Sequence, residues 1–310
     1  MVCKELYRLE IKFNAPCVVY INNNTQGQIC QVEDTINLHA EMQKLHKENK
    51  KTLCNFYQER RNFSKAERVK ACGNILTFKH YKDIGLTKLD NASLCRERLC
   101  LNCNLVSARK KAKELICITQ DKKLKHLVLS MKNCKPYMLR ETLINMKKAV
   151  KSLMRTFKIT DYYQSYEITY NKKANEYHPH IHLLIIKDDF RIKKSLLNYK
   201  WAEHYNKISG TKYNWLSCKL QDVEENAKGC LELSKYVTKP QDFTEKTIPI
   251  FDKELKGLHL HQANGYFKRA LKEFKTNNEK EKEYEKEYLS TFDYDIIRYI
   301  FNGDNYIKCE

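Results

Sequence analysis

The fold of this chain is decided by the stretch Tyr177-His178-Pro179-His180-Ile181-His182-Leu183-Leu184-Ile185-Ile186. Polar and apolar residues alternate through most of it, which is the period of a β-strand. On such a strand His180 and His182 share one face, and the apolar residues that alternate with them point into the core. We therefore expect a half-buried strand with two imidazoles on its polar face.

The segments around this strand predict an α+β fold. In chain order they read β-α-β-β-α-β and a further helix, the order of a ferredoxin-like or RRM-like antiparallel sheet with helices on one face. A Lys/Glu-rich segment near 270–290 predicts a helical C-terminal tail. The predicted strands are 124–131, 162–170, 177–186 and 218–223, and the predicted helices are 136–157, 190–207 and 226–238.

The charge of the chain indicates a polyanionic partner. Its 310 residues include 57 Lys and Arg against 38 Asp and Glu, a formal net charge of +19. Residues 61–160 carry +17 of this, from 24 basic and 7 acidic residues. Nucleic acid and an anionic membrane surface both attract such a region. The absence of apolar runs long enough to cross a bilayer makes the membrane interpretation the weaker one, and we expect no membrane partner.

Several other classes of protein are excluded by missing motifs. The sequence has neither G-x-G-x-x-G nor G-x-x-x-x-G-K-S/T, so we expect no dinucleotide site and no ATP-driven motor. The N-terminus lacks the apolar region of a signal peptide, which predicts a cytoplasmic protein. Thirteen cysteines, an odd number, then favour reduced thiols or a metal site over a disulfide framework.

Composition and motifs predict four segments along the chain. Residues 1–60 form an N-terminal extension of unknown role, and residues 61–120 form a basic, Cys-rich DNA-binding element. Residues 121–270 form the domain that carries the predicted sheet, and residues 271–310 form the charged helical tail.

The histidine strand is a candidate metal site. Two imidazoles on one face offer nitrogen ligands to a divalent ion, and Glu167 on the preceding strand can add an oxygen. A single His-x-His pair is more often a half-exposed polar surface with no ligand. Here the apolar interleaving, the nearby His178 and the facing carboxylate favour a metal.

A candidate nucleophile lies on the helix that follows the last predicted strand. Glu232 and Tyr236 are four residues apart and therefore share one helical face. A phenol beside a phosphodiester can attack phosphorus and leave a covalent phosphotyrosine. Lys235 and Lys239 would neutralise phosphate charge there. The chain has 20 tyrosines, and only the combination with the histidine strand distinguishes Tyr236 from the others.

Taken together, these motifs resemble the HUH endonucleases, in which two histidines flank one hydrophobic residue. More narrowly, the chain resembles the replication-protein (Rep) family of rolling-circle plasmid replication initiators, over about residues 70–272. It departs from the family at 100–103, where Cys-Leu-Asn-Cys replaces the usual Cys-Pro-x-Cys, and at Ser130, where a Thr is usual. The motifs similar to the family's are Cys72-Gly73-Asn74, residues 92–103, 127–133, 166–171, the histidine strand, 232–239 and Gly265-Tyr266-Phe267-Lys268.

The resemblance implies that residues 121–270 form an HUH nicking endonuclease domain, and it implies a role for each motif residue. Tyr236 would nick one strand of the plasmid's double-strand origin and keep the 5′ phosphate, and the free 3′-OH would prime a host polymerase. His180 and His182 would hold Mg²⁺ or Mn²⁺, with Glu167 as the third ligand and His178 as its rival. Glu232 would activate water for the closing step. Strand separation would need a host helicase, and the resemblance leaves open whether the protein forms a homodimer.

The cysteine segment is a candidate structural zinc site. Cys72, Cys95, Cys100 and Cys103 supply four thiols, the last two at C-x₂-C spacing, although the longer gaps are not those of a standard finger. A reduced cluster without metal is the alternative, as is a set in which His80 replaces one thiol. The basic residues nearby are candidate phosphate contacts: Arg96, Arg98, Arg109, Lys110, Lys111 and Lys113.

Other functions remain open on the sequence alone. A mobilisation relaxase or a transposase would share every catalytic residue named above. A zinc-dependent DNA-binding regulator without catalytic activity would not need Tyr236. A metallohydrolase of small molecules would place its His-x-His motif early in an (α/β)₈ barrel, which fits neither the motif's position nor the basic region.

Overall fold

The computed structural model describes residues 25–186, 190–234 and 239–309. Its helices are α1 (Thr25–Leu45), α2 (Lys47–Glu59), α3 (Phe63–Lys70), α4 (Leu101–Thr119), α5 (Leu139–Thr156), α6 (Lys194–Ser209), α7 (Asn226–Ser234), α8 (Ile248–Glu254) and α9 (Tyr266–Leu289). Its strands are β1 (Ile75–Tyr81), β2 (Leu86–Ala92), β3 (Lys125–Ser130), β4 (Tyr162–Asn171), β5 (Glu176–Ile185), β6 (Cys218–Asp222), β7 (His261–Ala263), β8 (Asp295–Phe301) and β9 (Tyr306–Lys308). The mixed α+β class with antiparallel sheets is confirmed.

The chain forms two compact units. One comprises Met1–Asn102 and Lys282–Glu310, and the other comprises Cys103–Glu281. The boundary between them falls in the first turn of α4 and again within α9, so neither helix belongs wholly to one unit. The four predicted segments describe function rather than compact units, and they stay a prediction.

The first unit contains an antiparallel sheet that the sequence did not predict. Its strand order is β2-β1-β8-β9, so β8 pairs with β1, a strand more than 200 residues earlier, and β9 pairs with β8. Leu76 and Phe78 of β1 are buried with Ala40 of α1 and Tyr306 of β9. The prediction of a helical tail is therefore wrong beyond Leu289, because the tail returns to the sheet and completes this core.

The second unit contains a five-stranded antiparallel sheet in the order β6-β3-β5-β4-β7. β5, the predicted histidine strand, lies at its centre between β3 and β4. Ile181, Leu183 and Ile185 of β5 are fully buried, as their alternation predicted. Burial of three such side chains stabilises the fold by about 1.5–3 kcal/mol each.

Helices pack on both faces of this sheet, so the expected free face is wrong. On one face the Tyr166 hydroxyl of β4 donates to the Leu143 carbonyl of α5. On the other face Tyr163 packs against Phe267 of α9, with Leu115 of α4 and Cys230 of α7 in the same core cluster. This second face is the one that carries the histidines, and the helices cover its Tyr163 end.

Candidate active site

The register of the central strands places the predicted metal residues on one face of the sheet. His180 of β5 lies opposite Glu167 of β4 on one side and opposite Ser130 of β3 on the other. His182, two residues along, lies opposite Ser165 and is buried. Residues two apart on a strand share a face, so both imidazoles and the Glu167 carboxylate line one patch.

Both ring nitrogens of His182 have partners. Its Nε2 donates to the Glu167 carboxylate over 2.9 Å, and its Nδ1 lies 3.1 Å from Nε2 of His126. The rings of His126 and His182 are stacked, with centroids 5.2 Å apart. Because a carboxylate can only accept, Nε2 of His182 carries a proton in this hydrogen bond, and that proton must leave before Nε2 can bind a metal. The three residues thus form one chain of hydrogen bonds.

Sequence reasoning missed His126. It lies on β3, where residues 126, 128 and 130 share the face that meets the histidines of β5. The available signal was this even-numbered alternation, but its use requires knowing that β3 pairs with β5. The β-α-β-β-α-β order of elements along the chain does not by itself say which strands lie side by side in the sheet.

His180 is held from the same strand. Its Nδ1 lies 3.0 Å from the Ser130 hydroxyl, and its ring contacts that of His178 with centroids 4.2 Å apart. His178 is therefore beside the patch and not separated from it. β3 contacts Nδ1 of both histidines, through Ser130 and through His126.

The protonation states of the patch suit a divalent cation. Burial, reinforced by the neighbouring imidazoles, lowers the pKa of His126 and of His180 to about 4. The hydrogen bond from His182 holds the pKa of Glu167 below its usual range, although burial opposes it. At neutral pH the patch therefore presents uncharged imidazole at His180 and an ionised carboxylate, which are the forms that ligate metals. Imidazole nitrogens suit transition-metal ions, and carboxylate oxygens suit Mg²⁺ and Mn²⁺.

The candidate nucleophile Tyr236 and its neighbour Lys235 lie outside the described residues. Glu232 and Lys239, which lie on either side of that segment in the chain, both affect pKa values in the patch. The Glu232 carboxylate opposes the fall in the pKa of His126, after the larger effects of burial and His182. The Lys239 ammonium contributes to the low pKa values of Glu167 and His180.

The chain just after Lys239 is anchored to β4. The Asp242 carboxylate is buried and accepts a hydrogen bond from the Tyr170 backbone N–H over 3.2 Å. Burial raises the pKa of Asp242, and the Tyr170 bond opposes this. Asp242 was another residue that sequence reasoning missed, since one aspartate in a loop carries no signal of its own.

The four cysteines come together as predicted. The sulfur atoms of Cys72, Cys95, Cys100 and Cys103 lie within 4.8 Å of one another, and the first three residues are buried. Cys72 and Cys100 have their sulfurs 3.6 Å apart. A tetrahedral zinc with bonds of about 2.3 Å would set its sulfurs about 3.8 Å apart, so this cluster could hold a metal such as zinc.

The cysteine cluster differs from the histidine patch in compactness. Within residues 25–186, 190–234 and 239–309, the cysteines are the one group of three or more ligating side chains that lies this close together. His180, His182 and Glu167 line a common face without reaching that spacing. A metal at the histidine patch therefore remains a prediction.

Two polar residues of α2 form hydrogen bonds to the segments that carry the cysteines. Asn49 of α2 donates to the Leu99 carbonyl and accepts from the Leu101 backbone N–H. Lys50 donates to the Cys72 carbonyl over 3.0 Å, and burial lowers its pKa. Sequence analysis identified neither, because their partners lie 22 to 52 residues further along the chain.

The predicted DNA-contacting residues differ in exposure. Arg96 and Arg98 are exposed beside the cysteines in the chain, as are Lys110 and Lys113 on α4. Arg109 is half-buried, and Lys111 is half-buried with its pKa lowered by burial. Of these six, only the exposed members are open to solvent, so their contact with phosphate stays a prediction.

Comparison with known proteins identifies a family for this chain. Residues 86–306 match the model of the Rep_1 family, described as "Replication protein". The chain belongs to the replication protein family. This membership supports a role in initiating plasmid replication, and with it binding to origin DNA.

The relatives of this replication protein are bacterial. It is 26% identical over 234 residues to "Protein rep" of Streptococcus pneumoniae serotype 2, covering 68% of this chain and 72% of the relative. It is 28% identical over 189 residues to "Protein rep" of Staphylococcus aureus, covering 56% and 82%. A "Protein rep" of Bacillus sp is 26% identical over 206 residues, covering 57% and 67%.

Two further searches gave negative results. No solved structure matches this replication protein. Among the residues that the structure describes, no helix is long and apolar enough to cross a membrane.

Proposed function

We propose that this replication protein starts rolling-circle replication by nicking one strand of its plasmid origin. The Tyr236 oxygen attacks the phosphorus of the scissile bond, forming a 5′-phosphotyrosine, and the bond to the 3′ oxygen breaks. That oxygen takes up a proton and becomes the 3′-OH primer. Since one phosphodiester replaces another, the step needs no nucleotide cofactor, and a host polymerase and helicase do the remaining work in the cytoplasm.

The observation that carries this proposal is the shared face of His180, His182 and Glu167. Glu232 and Lys239, which stand on either side of Tyr236 in the chain, both influence that face electrostatically. We interpret the order β6-β3-β5-β4 as a ferredoxin-like sheet with β7 added at its edge.

The histidine patch fits a divalent cation by its donor atoms and their charge. His180, His182 and Glu167 would hold Mg²⁺ or Mn²⁺, with His178 beside them as an alternative ligand. When bound, such an ion would draw charge from the phosphate oxygens and orient the scissile bond. The protein itself holds the two imidazoles of β5 in place through contacts from β3, and it excludes water at the buried His182.

The remaining site residues have supporting roles in this proposal. Lys239, and Lys235 beside the nucleophile, would offset the charge that develops on phosphate. Glu232 would take a proton from the water that later hydrolyses the phosphotyrosine, which allows the reaction to end without a second tyrosine. The four cysteines would hold a structural zinc and present Arg96 and Arg98 to the DNA backbone.

The deciding experiment is a covalent trapping assay. Purified protein is incubated with labelled single-stranded origin DNA and Mn²⁺ and then run on a denaturing gel. We expect a protein–DNA adduct from the wild type, none from Tyr236→Phe, and unchanged origin binding by that variant. Tyr199→Phe, which alters an exposed tyrosine on α6, serves as the matched control and should form the adduct normally.

Two results would contradict the proposal. One is the absence of an adduct when the wild-type protein meets its own origin. The other is a Tyr236→Phe protein that supports replication normally, which is what a DNA-binding regulator without catalytic activity would show.

A further inference from the structure

An exposed tryptophan lies close to the histidine patch. The chain has two tryptophans, and Trp201 is completely buried while Trp215 is 55% exposed. A single exposed apolar side chain needs no explanation by itself, so the position and neighbours of Trp215 decide what it could contact.

The alternation before β6 shows which way Trp215 faces. Ser217 and Lys219 are exposed like Trp215, whereas Leu216 and Cys218 between them are buried. Lys219 lies opposite Val128, and Val128 lies opposite His182, so this exposed series is on the histidine face. Trp215 therefore extends that face at the N-terminal side of β6, just before the strand begins.

Two hydrogen bonds connect the segment next to Trp215 to the histidine patch. The Ser217 carbonyl accepts from the Ser130 backbone N–H over 2.9 Å, and the Ser130 hydroxyl bonds to His180. Trp215 is thus two residues from the cross-strand row that holds His180.

A lysine accompanies the ring. The Lys132 ammonium lies 4.9 Å from the centre of the Trp215 ring, a cation–π distance. Lys132 follows Ser130 by two residues and is exposed. The position pairs a flat aromatic surface with a positive charge next to the proposed cleavage site.

We propose that Trp215 and Lys132 form a subsite for single-stranded DNA, in which the indole stacks on an unpaired base and the ammonium meets an adjacent phosphate. The inference rests on the proposed function, because it places the base near the strand to be cut. In a duplex each base is already covered by its neighbours, so only an unpaired base offers a face to the ring. Aromatic and basic side chains combine in this way wherever proteins hold single strands.

The test measures binding of a fluorescein-labelled oligodeoxythymidylate of twelve nucleotides to the full-length protein by anisotropy. Trp215→Ala should bind about tenfold more weakly, which is the usual effect of losing one stacked base. Trp215→Phe should remain within about twofold of wild type, since it keeps an aromatic face. Lys132→Ala should reduce the salt dependence of binding by about 0.7 in log–log slope.

A matched control comes from the opposite face of the sheet. Tyr199 on α6 is 52% exposed and has the Lys200 ammonium 5.6 Å from its ring. α6 packs with α5 and approaches the buried Cys218 rather than the histidine face. Tyr199→Ala should bind the oligonucleotide as wild type does.

Intrinsic fluorescence provides a second readout. The oligonucleotide should quench the emission of Trp215 and leave that of the buried Trp201 unchanged, so Trp215→Phe should lose the quenching.

Equal affinity of Trp215→Ala and wild type for the oligonucleotide, or an equal loss of affinity for a blunt duplex, would overturn the subsite. An adduct at Tyr236 with unchanged Trp215→Ala binding would refute the subsite alone. Trp215-dependent binding without any adduct would support the subsite and refute nicking.

Discussion

At the residue scale, the central feature is the way β3 holds the two histidines of β5. Sequence periodicity was sufficient to predict that His180 and His182 share a face, because residues two apart on a strand must do so. It could not predict their partners His126 and Ser130, which lie 50 or more residues earlier. Those contacts depend on strand register, and a local pattern does not specify register between distant strands.

The role of His126 can be tested apart from catalysis. His126→Phe keeps a flat ring against His182 but removes the nitrogen that bonds to it. We expect this variant to bind Mn²⁺ about 10–100-fold more weakly, the usual effect of removing a residue that orients a metal ligand. Isothermal titration calorimetry without DNA measures this.

The control for that experiment is His204→Phe. His204 also makes two side-chain hydrogen bonds, to Ser152 and Thr156, but on the helices that cover the opposite face. The His204→Phe protein should bind Mn²⁺ as the wild type does. A folded His126→Phe protein with wild-type affinity would show that His126 does not position His182.

At the scale of elements, the sheet of the first unit shows where sequence patterns fail. In β8 the inward residues Ile297, Tyr299 and Phe301 are apolar, but so are the exposed Ile296 and Ile300. A strand that is apolar on both faces shows no period of two, and it follows a long charged helix. β5 was predictable because the positions that alternate with its apolar residues are histidines, which make the alternation visible.

Adjacent isoleucines of β8 make this testable. Ile297→Asp places a carboxylate against Leu76 and Phe78, where it has no partner, and should destabilise the first unit by about 2–4 kcal/mol. Ile296→Asp, one residue away and 55% exposed, should change stability by no more than about 0.5 kcal/mol. Hydrogen exchange of the β1 amides in the full chain reports both changes, and equal protection in the two variants would contradict the assigned faces.

At the scale of the whole molecule, the charge is concentrated where the family match and the cysteine cluster begin. Residues 61–160 hold +17 of the net +19. This was readable from the sequence, since charge needs no fold to be counted. The sequence could not show that some of these residues are half-buried, such as Lys111 and Arg109, because that depends on packing around α4.

Salt dependence of origin binding tests this footprint. The double variant Lys110→Gln/Lys113→Gln removes two exposed charges from α4 and should lower the slope of log affinity against log salt by about 1.8 on duplex origin DNA. Lys280→Gln/Lys282→Gln removes the same charge from α9, where glutamates alternate with the lysines, and should leave the slope unchanged. Equal slopes for the two double variants would place the DNA elsewhere.

The composition of the first unit from both ends of the chain has a consequence for its synthesis. A ribosome completes Cys103–Glu281 before it makes β8, the strand that pairs with β1 and closes the core around Leu76 and Phe78. The five-stranded sheet of the second unit can therefore fold before β8 emerges, while one edge of β1 is still unpaired. A nascent chain at this stage would carry a folded second unit and an unfinished first unit, and chaperones would have to protect β1 until β8 is made.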